Sequence, residues 1–295
     1  MTLPRGTGPP RVGLAVSTVG RRGLQELLDS AARSLLPPHV VAVANQSGHA
    51  LDLTSAHLPF DLRMVDSRGG ASAGRNDAVK LLGDDVDLVG FPNDDSALPR
   101  GTLSQVVACW TAHGRPAAVT ASLSEPAGRR FQLPPSGAQL DRRSVWRAIE
   151  PATFLSLTSL KAVGGFRTDL GTGCAAPWQS GEGTDVLLRM LEAGMVLVSC
   201  PEAEVTGPGE RRTLTPDELV AKHRGYARGT GYVYRLHRYP SRARIRILLA
   251  PWSQLLKHDD SARLSVRIAW ARSLGRAEGL LARSAGPDGP RWSLR

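Results

Sequence analysis

Cysteine is scarce in this chain. Cys109, Cys174 and Cys200 are the only three, widely spaced and without a CxxC pair. That pattern excludes a disulfide framework and a cysteine zinc cluster, and it suits a reducing cytosol. Long apolar runs are missing too: the best segment of the tail, 245–256, is broken by Arg246 and Pro251, so no membrane-spanning helix is expected. Residues 1–10 contain no apolar stretch of the kind a secretory signal needs. The expected location is therefore cytoplasmic. Neither a Walker pattern nor GxGxxG occurs, and there is no internal repeat or low-complexity block.

What is abundant is positive charge, and it is unevenly placed. The 295 residues carry a formal net charge of +10, with 41% hydrophobic and 22% charged residues, an ordinary globular composition. Residues 1–205 hold 19 basic and 20 acidic side chains; residues 206–295 hold 18 and 7, a net of +11. A protein that coats nucleic acid with a uniformly basic surface is excluded. A near-neutral body with a basic tail remains.

Short apolar runs alternate with helical periodicity. Strands are predicted at 12–16, 39–44, 62–65, 86–91, 117–123 and 195–199. Helices are predicted near 24–35, 75–82, 102–112 and 184–193. A segment rich in proline and glycine, 124–139, reads as an irregular excursion. This alternation predicts a mostly parallel α/β sheet, which binds ligands beyond the carboxyl ends of its strands. The polar clusters fall there: 17–20, 45–48, 69–76 and 92–96.

Asn93, Asp94 and Asp95 follow a strand that reads as buried. Carboxylates at a strand terminus suit a hard cation that bridges a diphosphate; turn chemistry accounts for the same triplet. Glu182 and Asp185 open a helix, where an acid serves either as a base or as a cap that favours the helix dipole. Arg75 and Asn76, after Gly69 and Gly70, begin another helix that suits phosphate or sugar. His49, His57, His113 and His258 have no partner spacing, and His223 and His237 read as surface groups. Trp178 suits a sugar face or the core equally.

As an ordered set these segments resemble the family-2 glycosyltransferases of GT-A fold, inverting enzymes that use nucleotide-diphosphate sugars. The resemblance spans roughly 11–235 and rests on Ser17-Thr18-Val19-Gly20-Arg21, Asn45-Gln46-Ser47, Gly74-Arg75-Asn76, Phe91-Pro92-Asn93-Asp94-Asp95, Gly164-Gly165-Phe166 and 181–189. It implies a Rossmann-like, mostly parallel sheet flanked by helices. The implied organisation is an N-terminal tail (1–10), a catalytic domain (11–205) and a helical basic extension (206–295). Within the catalytic domain, 11–123 would be the nucleotide-sugar half and 124–205 the acceptor half. The resemblance also implies that Ser17, Thr18, Arg21, Asn45 and Ser47 hold the nucleoside, that Arg75 and Asn76 lie near the donor, and that Asn93 meets the ribose. Asp95 would bind a divalent cation, Mg²⁺ or Mn²⁺, with Asp94 on the metal or the donor sugar. Glu182 or Asp185 would take the proton of an acceptor hydroxyl, on a glycan or a lipid-linked molecule.

This sequence departs from the family pattern in places. Asn45 and Asn93 stand where the family usually has aspartates, Gly183 stands where many members carry the second acid of a Glu-Asp pair, and 206–209 lacks the histidine many relatives have there. These departures motivate a rival, a non-catalytic nucleotide-sugar-binding protein on the same scaffold. In the tail, Val266, Trp270, Leu274, Ala277 and Leu281 fall on one helical face, with Arg272, Arg276 and Arg283 opposite. Such a helix lies on a membrane surface through 241–295, or packs on the body with its arginines in water. No nucleic-acid partner is expected, because the tail has no interleaved aromatic platform.

Overall fold

The computed structural model describes residues 9–20, 23–53, 58–208, 214–253 and 262–283. Eight strands form one mixed sheet: β1 (Val12–Thr18), β2 (Val40–Asn45), β3 (Asp61–Asp66), β4 (Leu88–Gly90), β5 (Ala118–Glu125), β6 (Gly128–Arg129), β7 (Thr153–Ser156) and β8 (Leu197–Thr206). The order is β3-β2-β1-β4-β7-β5, with β6 and β8 both joined to β5. β1 to β4 are mutually parallel and β8 is parallel to β5. β7 is antiparallel to both its neighbours, and β6 forms a hairpin with β5.

The alternation read from sequence is present, with local differences. β8 runs on to Thr206 instead of ending near 199, and the excursion 124–139 contains the two residues of β6. β7 was not anticipated as a strand. Its four residues are held by pairing on both edges, which no local pattern records.

Strands buried on both faces read as continuous apolar runs, and here the alternate residues divide between two cores. Val12, Leu14, Val16, Val41 and Val43 face α1 (Gly23–Ala32) and α3 (Thr102–Ala112). Ala15, Val40, Ala42 and Ala44 face α2 (Ala71–Leu82), α4 (Leu157–Ala162) and α5 (Glu182–Glu192). Trp178 is buried and stacks on Tyr232, ring centres 4.5 Å apart, so it belongs to the core.

Among the described residues of the tail there are three helices. α6 (Pro216–Leu236) starts at a capping box, in which the Thr215 hydroxyl accepts from the Glu218 N–H and Glu218 returns a bond to the Thr215 N–H. α7 is Ser241–Ser253 and α8 is Ala262–Leu281. α8 packs on α6, but not through the apolar face the periodicity singles out. Gly231 of α6 lies against the Arg276 carbonyl, and Gly275 and Gly279 of α8 lie against the carbonyls of Arg224 and Arg228. Glycine leaves no Cβ, so the backbones approach closely. Arg224 and Arg228 reach across to the buried Glu278. The arginines expected in water are partly turned inward: Arg276 bonds the Ile247 carbonyl and Arg272 bonds His223. Trp270 is 61% exposed, and Val266 and Leu281 are exposed with it. The buried face of α8 thus combines alanines and glycines with Glu278, while Val266, Trp270 and Leu281 stay outside with Arg263 and Arg267. Among the described residues no helix is long and apolar enough to cross a membrane.

Candidate active site

The parallel strands β1 to β4 end at one edge of the sheet, and the loops beyond them interlock. At the end of β1 the Thr18 hydroxyl donates to Asp94 Oδ2 at 2.7 Å, with both residues buried. Asp95 is half-buried beside it, and a Cβ on Gly23, the first residue of α1, would fall 2.8 Å from Asp95 Cα. The Asp94–Asp95 backbone is therefore clamped by the start of α1. Asn93 is exposed, and its carbonyl accepts the Ser96 N–H at 3.0 Å, closing the turn. Arg21 lies outside the described residues.

Beyond β2, Asn45 organises its own turn. Its Oδ1 accepts from the Ser47 N–H and hydroxyl, and its Nδ2 donates to the His49 carbonyl and to Asp66 Oδ1 at the end of β3. Gln46 reaches over to β1 and α2: its amide donates to Ser17 Oγ and the Gly70 carbonyl, and accepts the Gly70 N–H. Gly74 of α2 sits directly on Ser17 and Gln46, where a Cβ would collide. These contacts hold the start of α2 against the β1 and β2 loops.

The next residue along α2, Arg75, is buried and joins two acids. Its Nη1 donates to Glu182 Oε1 at 3.1 Å and its Nε pairs with Glu150 Oε1. Glu150 precedes β7 in a short 3-10 turn (Glu150–Ala152). Burial pushes its carboxyl up to about 8; Arg75 pulls it down and the neighbouring Glu182 pushes it further up. Asn76 faces elsewhere: its Nδ2 donates to the Phe166 carbonyl at 2.8 Å and its Oδ1 accepts the Phe166 N–H at 2.9 Å. It pins the turn at Gly164 and Gly165, whose φ angles of 79° and 71° only glycine adopts readily.

Glu182 and Asp185 share the first turn of α5 but not an environment. Asp185 is 1% exposed, and both its oxygens are taken. Oδ2 accepts from Arg189, which also bonds the carbonyls of Val163 and Gly165, and Oδ1 meets His237 Nε2 at 3.0 Å. His237 was expected at the surface; instead it is buried at the end of α6, bridging Asp185 and Glu192. Burial opposes its protonation, but the two carboxylates outweigh burial and raise its pKa above the ordinary value. Asp185 therefore ties α5 to α6, and Glu182 is the acid of the motif that faces α2.

Sequence reasoning assigned no role to Glu150 or Gln46 and read His237 as a surface group. Each acts through a partner far along the chain, so no local spacing marks it. The cysteines also meet in space despite their spacing: one ligand atom each of Cys109, Cys200 and Glu202 lies within 4.8 Å of the others. Burial raises both thiols above their usual pKa, which keeps them protonated.

No protein-family model matches this sequence, and no curated protein matches it. Solved structures do. The mannosyltransferase PcManGT from Pyrobaculum calidifontis, in complex with GDP-Man and Mn²⁺, is similar with a TM-score of 0.62 over 94% of this chain and 89% of its own, at 16% identity. TarS 1–349 of S. aureus matches with a TM-score of 0.53 over 92% of each chain at 13% identity, and its complex with UDP-GlcNAc matches at 14% identity. The chain thus has the fold of the GT-A glycosyltransferases.

Proposed function

We propose that this protein is a metal-assisted, inverting glycosyltransferase that moves a sugar from a nucleotide-diphosphate sugar to a glycan or lipid-linked acceptor. The observation that carries this reading is the gathering at one sheet edge of the Thr18–Asp94 pair, Asp95 and the Arg75-linked carboxylates. Similar folds in complex with GDP-Man and Mn²⁺, and with UDP-GlcNAc, support the donor class.

The donor set fits a divalent cation: carboxylate oxygens of Asp95 and Asp94 at a strand terminus are the hard ligands Mg²⁺ or Mn²⁺ takes. When bound there, the cation would neutralise charge developing on the leaving diphosphate. Thr18 fixes the rotamer of Asp94, and Ser17, Asn45 and Ser47 line the loops that would meet the nucleoside. Arg75 orients Glu182, which would take the acceptor hydroxyl's proton as that oxygen attacks the anomeric carbon. Glu182 is favoured over Asp185 as the base because both oxygens of Asp185 are already bonded. A single backside displacement of this kind inverts the anomeric centre.

Transfer and hydrolysis assays with UDP-GlcNAc and GDP-mannose, with and without Mn²⁺, test the reading alongside thermal-shift measurements with UDP and GDP. Metal-dependent turnover is expected, with a stabilisation of about 2.7 kcal/mol at a hundredfold excess over Kd. Stabilisation without turnover would favour the non-catalytic rival, to which Gly183 and the structural use of Asn45 lend support. No response to any donor, nucleotide or metal would sink both.

The membrane-facing part of the proposal rests on α7 and α8. Ile245, Leu249, Trp252, Val266 and Trp270 are all exposed, and the two tryptophan rings meet edge-on at 6.2 Å. Arg242, Arg246, Arg263 and Arg267 are exposed on the same two helices. Aromatic and aliphatic groups among arginines suit the interface of an anionic bilayer at the inner face of the cell membrane. Flotation with phosphatidylglycerol-containing vesicles is expected to capture the protein, and W252S/W270S to weaken capture about tenfold or more. Equal recovery of both proteins would refute membrane contact.

A further inference from the structure

Position 183 has no side chain, yet its space is filled. A Cβ built on Gly183 would fall 2.8 Å from Glu150 Cβ, 3.0 Å from its Cγ and 3.4 Å from its Oε2. The Glu150 side chain thus occupies the volume into which any residue at 183 would grow, and its carboxylate lies beside that volume. It enters from the segment ahead of β7, a different part of the chain from α5. A small cavity of about 10 Å³ lined by Glu150, Gly183, Phe91, Phe166 and Leu187 is what remains of the space.

The charged groups facing Glu150 are Arg75 from α2 and Glu182 from α5. The other neighbours, Phe91, Thr153, Leu155, Phe166 and Leu187, are uncharged. One guanidinium against two carboxylates leaves an excess negative charge in a buried place. The proton that burial keeps on Glu150 removes it.

We propose that Glu150 is the second carboxylate of the transfer site, standing where position 183 has none, and that it forms with Glu182 the pair that receives the acceptor's proton. This inference rests on the glycosyltransferase reading. In the reaction the acceptor oxygen forms its bond to the anomeric carbon. The bond from that carbon to the diphosphate oxygen breaks, and its electron pair leaves on the diphosphate. The hydroxyl proton passes to Glu182. Glu150 is a positioning residue that acts through Glu182: it pairs with the same Arg75 guanidinium, so that Arg75 is shared between the two acids and does not clamp Glu182 alone.

The test compares wild type with E150Q, E150A, E150A/G183D and E150A/G183N, in transfer assays run from acidic to alkaline pH. Donor binding is followed separately by the thermal shift with UDP or GDP and Mn²⁺. E150Q is expected to lower kcat about a hundredfold while the nucleotide-induced shift stays as in wild type. E150A/G183D should recover at least about tenfold over E150A, and E150A/G183N should not. Wild-type kcat in E150Q would overturn the inference. So would equal rescue by asparagine and aspartate, which would make Glu150 a space-filler. An inactive wild type would instead take down the glycosyltransferase reading itself, and this inference with it.

Discussion

Asp95→Ala is expected to lower sugar transfer by about a thousandfold and to abolish the Mn²⁺-dependent part of the stabilisation by UDP or GDP. The site has few charges to spare. Asn93 contributes none, and Asp94 already accepts the Thr18 hydroxyl. Asp95 is the more exposed of the two acids, on a backbone clamped by Gly23. Its position is therefore set by the main chain and survives loss of the side chain, so the variant should fold with an unchanged circular dichroism spectrum. Initial rates across a Mn²⁺ titration, with chelator-treated protein as the zero point, read the effect. Persistence of both metal response and turnover in the variant would refute the assignment of Asp95 to the cation.

The largest stability effect is expected at Glu278→Ala. The side chains of Glu278 and Arg228 are each 5% exposed, and Arg224 completes the group from the same helix as Arg228. Removing the acid strands a buried guanidinium, which costs about 3–5 kcal/mol. At about 2 °C per kcal/mol for a chain of this size, Tm should fall by roughly 5–10 °C. Burial raises the Glu278 pKa, but hydrogen bonds from Arg224 and Arg228 outweigh it and hold the carboxyl below its usual value of 4.5. Its stabilisation is thus complete above the unfolded-state value and is lost as pH falls through the lower folded-state value. The Tm gap between wild type and variant should accordingly be full at neutral pH and close in acid. A gap independent of pH would argue for lost packing alone.

Much of the sheet was legible because parallel strands covered on both faces carry unbroken apolar runs, as in β1 and β2. The strand ends were legible for the same reason, since polar residues begin where burial stops. β7 was hidden because its order comes from β4 and β5 on either side. The resemblance favours Glu182 over Asp185 only narrowly, and the approach of His237 and Arg189 to Asp185 separates the two. Glu150 carried no signal at all, since its meaning depends on an arginine in α2 and a glycine in α5. Which of the two alternatives for α8 holds was not legible for a different reason. A helical wheel ranks faces by hydrophobicity, whereas the packed face here is defined by glycines that let two backbones touch.

The bridge from His237 to Asp185 also bears on how the protein is made. The last strand of the sheet ends at Thr206, so a growing chain can close its sheet before α6 has left the ribosome. Until His237 follows, Asp185 has Arg189 but not its second partner, and the start of α5 lacks its outer brace. A nascent chain halted between the two is expected to have its strands in place but an unbraced α5.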